Sequence, residues 1–217
     1  MDTLSEARHW NVSDECWSRL SPAHRALYAV VRPQQQAAYE VDVALSQLEN
    51  FLGTTEKDVV AAGGVFDLEP DYQRGHVWND EQRSRYAEAI TRGSAPGRIL
   101  FNCPGWTSYS GEGGIPSQTF QCIDGLQRLT ALRRYMRGEI TVFDGLRASD
   151  LHASPFDPRR VRVKIAIYEF RARVSLLQFY LDLNAGGTVH APEELARVRL
   201  LLDEAKSAEA ARAHHPH

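Results

Sequence analysis

Long apolar runs are missing from this chain of 217 residues, and none approaches the ~20 residues of a membrane-spanning helix. The first ten residues carry Asp2 and Glu6 and no apolar stretch, so no secretion signal is expected. Cysteine is scarce. Cys16, Cys103 and Cys122 lie far apart and are odd in number, which suits neither a disulfide framework nor a zinc-binding spacing. These absences together predict a soluble protein of the reducing cytoplasm, without a membrane role. Three familiar catalytic signatures are also absent: the G-x-x-x-x-G-K-[ST] phosphate loop, the G-x-S-x-G elbow and the H-E-x-x-H metal motif. A net charge of −3 excludes a strongly basic nucleic-acid binder, though not a local basic patch. Lysine is nearly absent too: Lys57, Lys164 and Lys206 are the lysines among 25 basic residues. Arginine suits forked contacts to phosphate, but GC-rich coding gives the same bias.

The chain does have 43% apolar residues, enough for a sizeable core in one domain, or one domain plus an extension. Residues 1–60 hold five basic against nine acidic groups and read as a helical N-terminal extension. Within it, Glu6 to Leu20 is a weak helix. Ser21 and Pro22 open a second helix to Val31. Ala38, Val41, Leu45, Leu48 and Leu52 mark a third from Gln34, ended by Gly53. Residues 61–205 alternate strand-like and helix-like runs. Val65–Leu68, Ile99–Asn102, Gln118–Ile123, Glu139–Phe143 and Val161–Tyr168 read as strands. Helices are expected from the N-cap Asn79, with Gln82 three residues on, to a stop at Gly93, from Leu129 to Met136, from Ala172 to Asn184 and from Glu193 to about Ala205. Residues 206–217 read as a flexible tail. The expected fold is α+β: a small mixed sheet surrounded by helices.

Two polar clusters stand at strand-to-helix junctions. The first is Pro70-Asp71-Tyr72-Gln73-Arg74-Gly75-His76-Val77-Trp78. The second is Asp124-Gly125-Leu126-Gln127-Arg128. A strand turning sharply into a helix aims free backbone N–H groups at one point, and the helix dipole adds partial positive charge there. Gly125 admits a close approach of backbone or ligand, and Arg128 adds a pair of donors. A phosphate or nucleotide site fits this pattern. An ordinary N-cap at Asp124 and a solvated Arg128 fit it as well.

The order of elements and both motifs resemble the N-terminal domain of GmrSD-type restriction enzymes, within the ParB/sulfiredoxin superfamily. That family reads approximately P-x-Y-Q-R-x-x-x-W and later D-G-Q-Q-R-L-T-x-L. Here stand Pro70, Tyr72, Gln73, Arg74 and Trp78, then Asp124, Gly125, Gln127, Arg128, Leu129, Thr130 and Leu132. Leu126 departs from the family's glutamine, so any contact of that amide is lost. The segment ending at Asn184 and the pair Glu194-Leu195 extend the likeness to about Leu201.

The resemblance implies a ParB/sulfiredoxin-like fold in which the two motif loops face each other. Gln73, Arg74, Gly125 and Arg128 would bind a nucleoside triphosphate. Asp124, Gln127 and Arg128 would act on it, with Asp124 holding Mg2+ or orienting the attacking water and Gln127 aligning that water. Tyr72, His76, Trp78 and Asn184 are further candidates, each with an ordinary packing or capping alternative. GmrSD-type nucleases usually cut through a C-terminal His-Asn-His domain. None is expected in the residues after 205, so a separate nuclease subunit is the expected partner. The implied role is a regulatory or sensor module in restriction or phage–host conflict. A metal-dependent DNA nickase and a non-catalytic DNA- or protein-binding module are the alternatives. Trp106, in the long loop Asn102–Ser117, suits either stacking on a base or plugging the core edge.

Overall fold

The computed structural model describes residues 14–31, 34–73, 77–107, 114–185 and 192–213. The chain divides into a small unit, residues 1–36, and a large one, residues 37–217. In the small unit, α1 (Asp14–Arg19) and α2 (Pro22–Val31) are joined at Leu20 and Ser21, and the Ser21 hydroxyl accepts from the His24 N–H at 3.2 Å. Trp17 packs edge-on against Tyr28, with ring centroids 5.4 Å apart. Arg25 lies over the same indole and donates to Ser18 O at 2.9 Å. The part of the expected first helix before Asp14 lies outside the described residues.

The large unit begins with β1 (Tyr39–Ala44), where a helix from Gln34 was expected. The apolar positions Val41, Leu45 and Leu48 fit helical spacing, but β-branched Val41 and Val43 also alternate with Glu40 and Asp42. Pairing decides the matter: Val41 faces Ile165 and Val43 faces Val163 across an antiparallel ladder. The helical extension therefore stops short of residue 60, because β1 belongs to the sheet. After a short 3-10 turn, α3 (Leu48–Ala61) runs straight through Gly53. Its stop is Gly63, whose φ is +77°.

The remaining elements are β2 (Val65–Asp67), α4 (Asp80–Thr91), β3 (Arg98–Asn102), β4 (Thr119–Asp124) and α5 (Leu126–Met136). They are followed by β5 (Arg162–Tyr168), α6 (Arg173–Ala185) and α7 (Pro192–Ala213). Asn79 caps α4 in a reciprocal capping box with Gln82, as the sequence implies. Glu139–Phe143 forms no strand. Ile140 and Val142 instead bury against Ala87, Tyr135 and Leu151, and Val142 makes a lone bridge to Leu146. The last helix continues eight residues past Ala205, so 206–213 are helical rather than a tail.

The sheet order is β1-β5-β3-β4-β2, with β5–β3 and β4–β2 parallel and the other pairs antiparallel. This mixed sheet with helices on both faces is the α+β architecture expected. Alternation along the strands builds two cores. Val163, Ile165 and Ile167 join Leu48, Leu52, Leu129 and Leu132 on the face of α3 and α5. Ala166 and Tyr168 join Tyr72, Leu177, Tyr180 and Val198 on the face of α6 and α7. Among the described residues no helix is long and apolar enough to cross a membrane.

Candidate functional site

Asp124 is the last residue of β4 and Gly125 turns the chain into α5 with φ +97°. That backbone conformation disfavours any side chain, and space is short as well. A Cβ on Gly125 would sit 3.2 Å from Ile99 Cα and 3.3 Å from Arg98 O. Gly125, not Asp124, is the N-cap, and among the described residues no side chain caps α5. Asp124 is therefore not the ordinary cap. Its Oδ2 accepts from Arg128 Nη2, one helical turn on. Neither partner is solvated freely, since Arg128 is 24% exposed and Asp124 39%. The Arg128 Nε is buried and has no hydrogen-bond partner among the described residues.

Leu126 is 4% exposed and packs with Leu129 and Leu132 in the core. The buried Cys122 thiol donates to Asp124 O at 3.7 Å. Burial raises the Cys122 thiol far above its usual range, with the Asp124 carboxylate adding to the effect. The thiol is inert at neutral pH. Burial likewise pushes Cys103 up to about 12.

The two motifs meet at this junction. The register of β3 and β4 slips between Leu100 and Phe101, leaving Ile123 without a partner across that ladder. Gln73, in the loop that follows β2, reaches the same stretch of β4, its Nε2 donating to Ile123 O at 2.5 Å and Cys122 O at 3.1 Å. The Tyr72 hydroxyl donates to the same Cys122 carbonyl at 3.3 Å. Tyr72 is completely buried, its ring 5.5 Å from that of Tyr180, and desolvation holds its phenol well above the usual value. It is a core residue. The Trp78 N–H donates to Gln127 Oε1 at 3.2 Å, and the Trp78 ring packs 5.5 Å from Tyr86. Gln73 and Gln127, expected at the ligand, thus commit side-chain groups to joining the loops. Arg74 and His76 lie outside the described residues. Asn184 sits inside α6 and donates back to Tyr180 O at 2.6 Å.

Sequence reasoning missed the residues that hold the first loop. Arg197 of α7 donates to the carbonyls of Asp71, Tyr72 and Gln73. Arg173 of α6 binds the Asp71 carboxylate at 2.5 Å. No local signal separates these arginines from others on amphipathic helices. Asn102 was also missed. Fully buried, it exchanges two hydrogen bonds with the Phe170 backbone, at 3.1 and 2.7 Å.

Two cavities lie apart from Asp124. One, of about 590 Å3, opens between β1 and α3, with Phe51, Thr55 and Trp106 in its walls. Trp106 leans on Tyr39 and Phe120, at 6.0 and 6.1 Å, and so plugs the core edge. The other, about 150 Å3, lies beside Leu126 under Arg133, Arg134 and Arg137. Those arginines are neutralised by Glu49, Asp80 and Glu139.

No curated protein and no solved structure matches the chain. A family model does match, over residues 52–201, and is described as the N-terminal domain of the GmrSD restriction endonuclease. The match spans both motif loops, the mixed sheet from β2 onward, all of α6 and the first part of α7, and covers more than half of the chain. The chain therefore belongs to the family of GmrSD restriction endonuclease N-terminal domains.

Proposed function

We propose that this domain binds a nucleoside triphosphate where β4 turns into α5, and hydrolyses it as a regulatory or sensor module in DNA restriction or phage–host conflict. The observation that carries this reading is the Asp124–Arg128 pair at an uncapped helix start, with the first motif loop fastened directly behind it. An uncapped N-terminus favours anions, and Arg128 supplies a guanidinium fork beside it. In the ligand-free protein Asp124 neutralises Arg128. A phosphate group would take the place of Asp124 on Arg128 and leave the carboxylate to orient a water or hold a cation.

Mg2+ fits this donor set in one way. Among the described residues no group of three His, Cys, Asp or Glu forms a protein cage. Mg2+ is commonly held by one or two carboxylates plus substrate phosphates, and Asp124 suits that arrangement. The ion would supply charge neutralisation on the phosphates. Arg74 would add a second basic group from the first loop, whose likeness to ParB/sulfiredoxin proteins belongs to the same proposal. A nuclease on a separate subunit is the partner this reading calls for.

A second reading, a binding module without turnover, is favoured by two observations. Leu126 is buried in the core where the family motif has glutamine, and the Gln127 oxygen is occupied by Trp78.

A thermal-shift screen with ATP, GTP, CTP and UTP plus Mg2+, on the wild type and Arg128→Ala, tests the proposal. A ligand at 100 times its Kd stabilises the fold by about 2.7 kcal/mol. The expected result is a shift with one nucleotide that disappears in Arg128→Ala, followed by phosphate release. Binding without release selects the second reading. No shift with any nucleotide refutes both nucleotide readings and directs attention to metal-dependent nicking of plasmid DNA at Asp124 and Arg128.

A further inference from the structure

We infer that Arg197 is a positioning residue for the nucleotide site, acting from α7 through the backbone of the first motif loop. The inference rests on the nucleotide reading above. The Arg197 guanidinium spans three successive carbonyls: Asp71 O, Tyr72 O at 3.3 Å and Gln73 O at 3.1 Å. A planar fork with five donors can bridge three acceptors in this way, whereas an ammonium acts as a point charge. The same turn is closed from within by the Gln73 N–H on Pro70 O, at 2.8 Å. Arg173 anchors its outer edge through the Asp71 carboxylate.

Beneath the turn the same helix holds Tyr72. Glu194 stands one turn before Arg197 on α7, and its Oε1 accepts from the Tyr180 hydroxyl at 3.1 Å. The Tyr180 ring supports the Tyr72 ring, and the Tyr72 hydroxyl reaches Cys122 O, two residues before Asp124. One face of α7 therefore grips the loop twice, at its backbone through Arg197 and at its buried ring through Glu194 and Tyr180. The gripped residues run directly into Arg74 in sequence, and Gln73 itself holds the carbonyls that precede Asp124. Arg197 is exposed, and so are its bonds to Asp71 O and Gln73 O, so its removal returns those two carbonyls to water rather than burying them unpaired. The loss falls on the geometry of the loop more than on the stability of the fold.

The test uses the full chain with Arg197→Ala and Arg197→Lys. The readouts are affinity for the nucleotide that stabilises the wild type, ligand-free Tm, and amide hydrogen exchange over residues 70–78 and 122–128. In Arg197→Ala the expected result is an affinity loss on the order of tenfold to a hundredfold with Mg2+ present. Ligand-free Tm should fall by less than about 3 °C. Exchange should quicken in both segments, and Arg197→Lys should be intermediate. Unchanged affinity, or exchange that quickens at 70–78 but not at 122–128, overturns the inference. A large Tm loss that lysine does not relieve also overturns it, since that marks a merely structural clamp. If the wild type binds no nucleotide, the nucleotide reading fails. Exchange at 122–128 then decides separately whether Arg197 positions the Asp124 junction.

Discussion

The Gln73 side-chain amide donates to the Ile123 carbonyl at 2.5 Å. This contact joins the two sequence motifs. β2 pairs with β4 as far as Asp67 against Gln121, and beyond that point β2 has left the sheet. A buried carbonyl needs a donor, and the Gln73 side chain supplies it in place of another strand. The glutamine of the first motif thus fixes the backbone from which Asp124 projects.

Asp124→Asn preserves shape and removes charge. It is predicted to spare nucleotide binding and abolish phosphate release, with stability lowered by no more than about 1 kcal/mol, the range of a partly exposed ion pair. Calorimetric titration and a phosphate assay check this. Turnover at the wild-type rate reduces Asp124 to a partner that orients Arg128.

Gly125→Ala is predicted to destabilise the domain by about 1–3 kcal/mol, because the residue holds φ +97°. Arg98 and Ile99 backbone atoms also stand within 3.3 Å of the added methyl. Thermal melting without ligand measures it. An unchanged Tm means that the junction relaxes and the close approach is not a constraint.

Leu126→Gln restores the residue usual in the family motif but places an amide in the core. The predicted cost is about 1–3 kcal/mol, the penalty for an unsatisfied buried polar group. Equal stability in urea denaturation, or a gain in nucleotide affinity, contradicts this and shows that the side chain swings out to the ligand.

Acid should weaken the fold through three carboxylates. Glu49 is held below its usual value chiefly by its hydrogen bond to Arg133, Asp80 by Arg134, and Asp157 by Arg159. A depressed folded-state pKa contributes stability that is fully present above the unfolded value and is lost as pH falls through the folded one. The unfolded values are 4.5 for Glu49 and 3.8 for the two aspartates. Stability should therefore hold steady from neutral pH to about 4.5 and decline below it. Arg133→Ala should flatten part of that decline in denaturation midpoints measured from pH 7 to 3. An unaltered acid limb dismisses the Glu49–Arg133 pair as a contributor.

The sequence was most legible where local chemistry and tertiary context agree. Asn79 and Gln82 announced a capping box, and a capping box formed. The alternation of Val163, Ile165 and Ile167 announced a strand, and β5 is that strand, with Ala166 and Tyr168 burying its other face as well. Reading failed where one pattern served two periods. Val41, Leu45 and Leu48 suited a helix until Ile165 and Val163 offered β1 a partner, and strand pairing is a long-range event that no local window contains. Ile140 and Val142 were apolar because they bury against α4 and α5 rather than because they pair.

The candidate site divides in the same way. By itself the sequence determined the motif residues, the glycine at the turn and the membership in a family, since these depend on residue identity and spacing along the chain. Only the tertiary structure decided that Asp124 engages Arg128, that Tyr72 is core, that Gln73 and Gln127 fasten one loop to the other, and that Arg197 holds the first loop from α7. Those roles depend on which carbonyls a departing strand leaves unpaired, and on which distant donors the packed helices bring within reach.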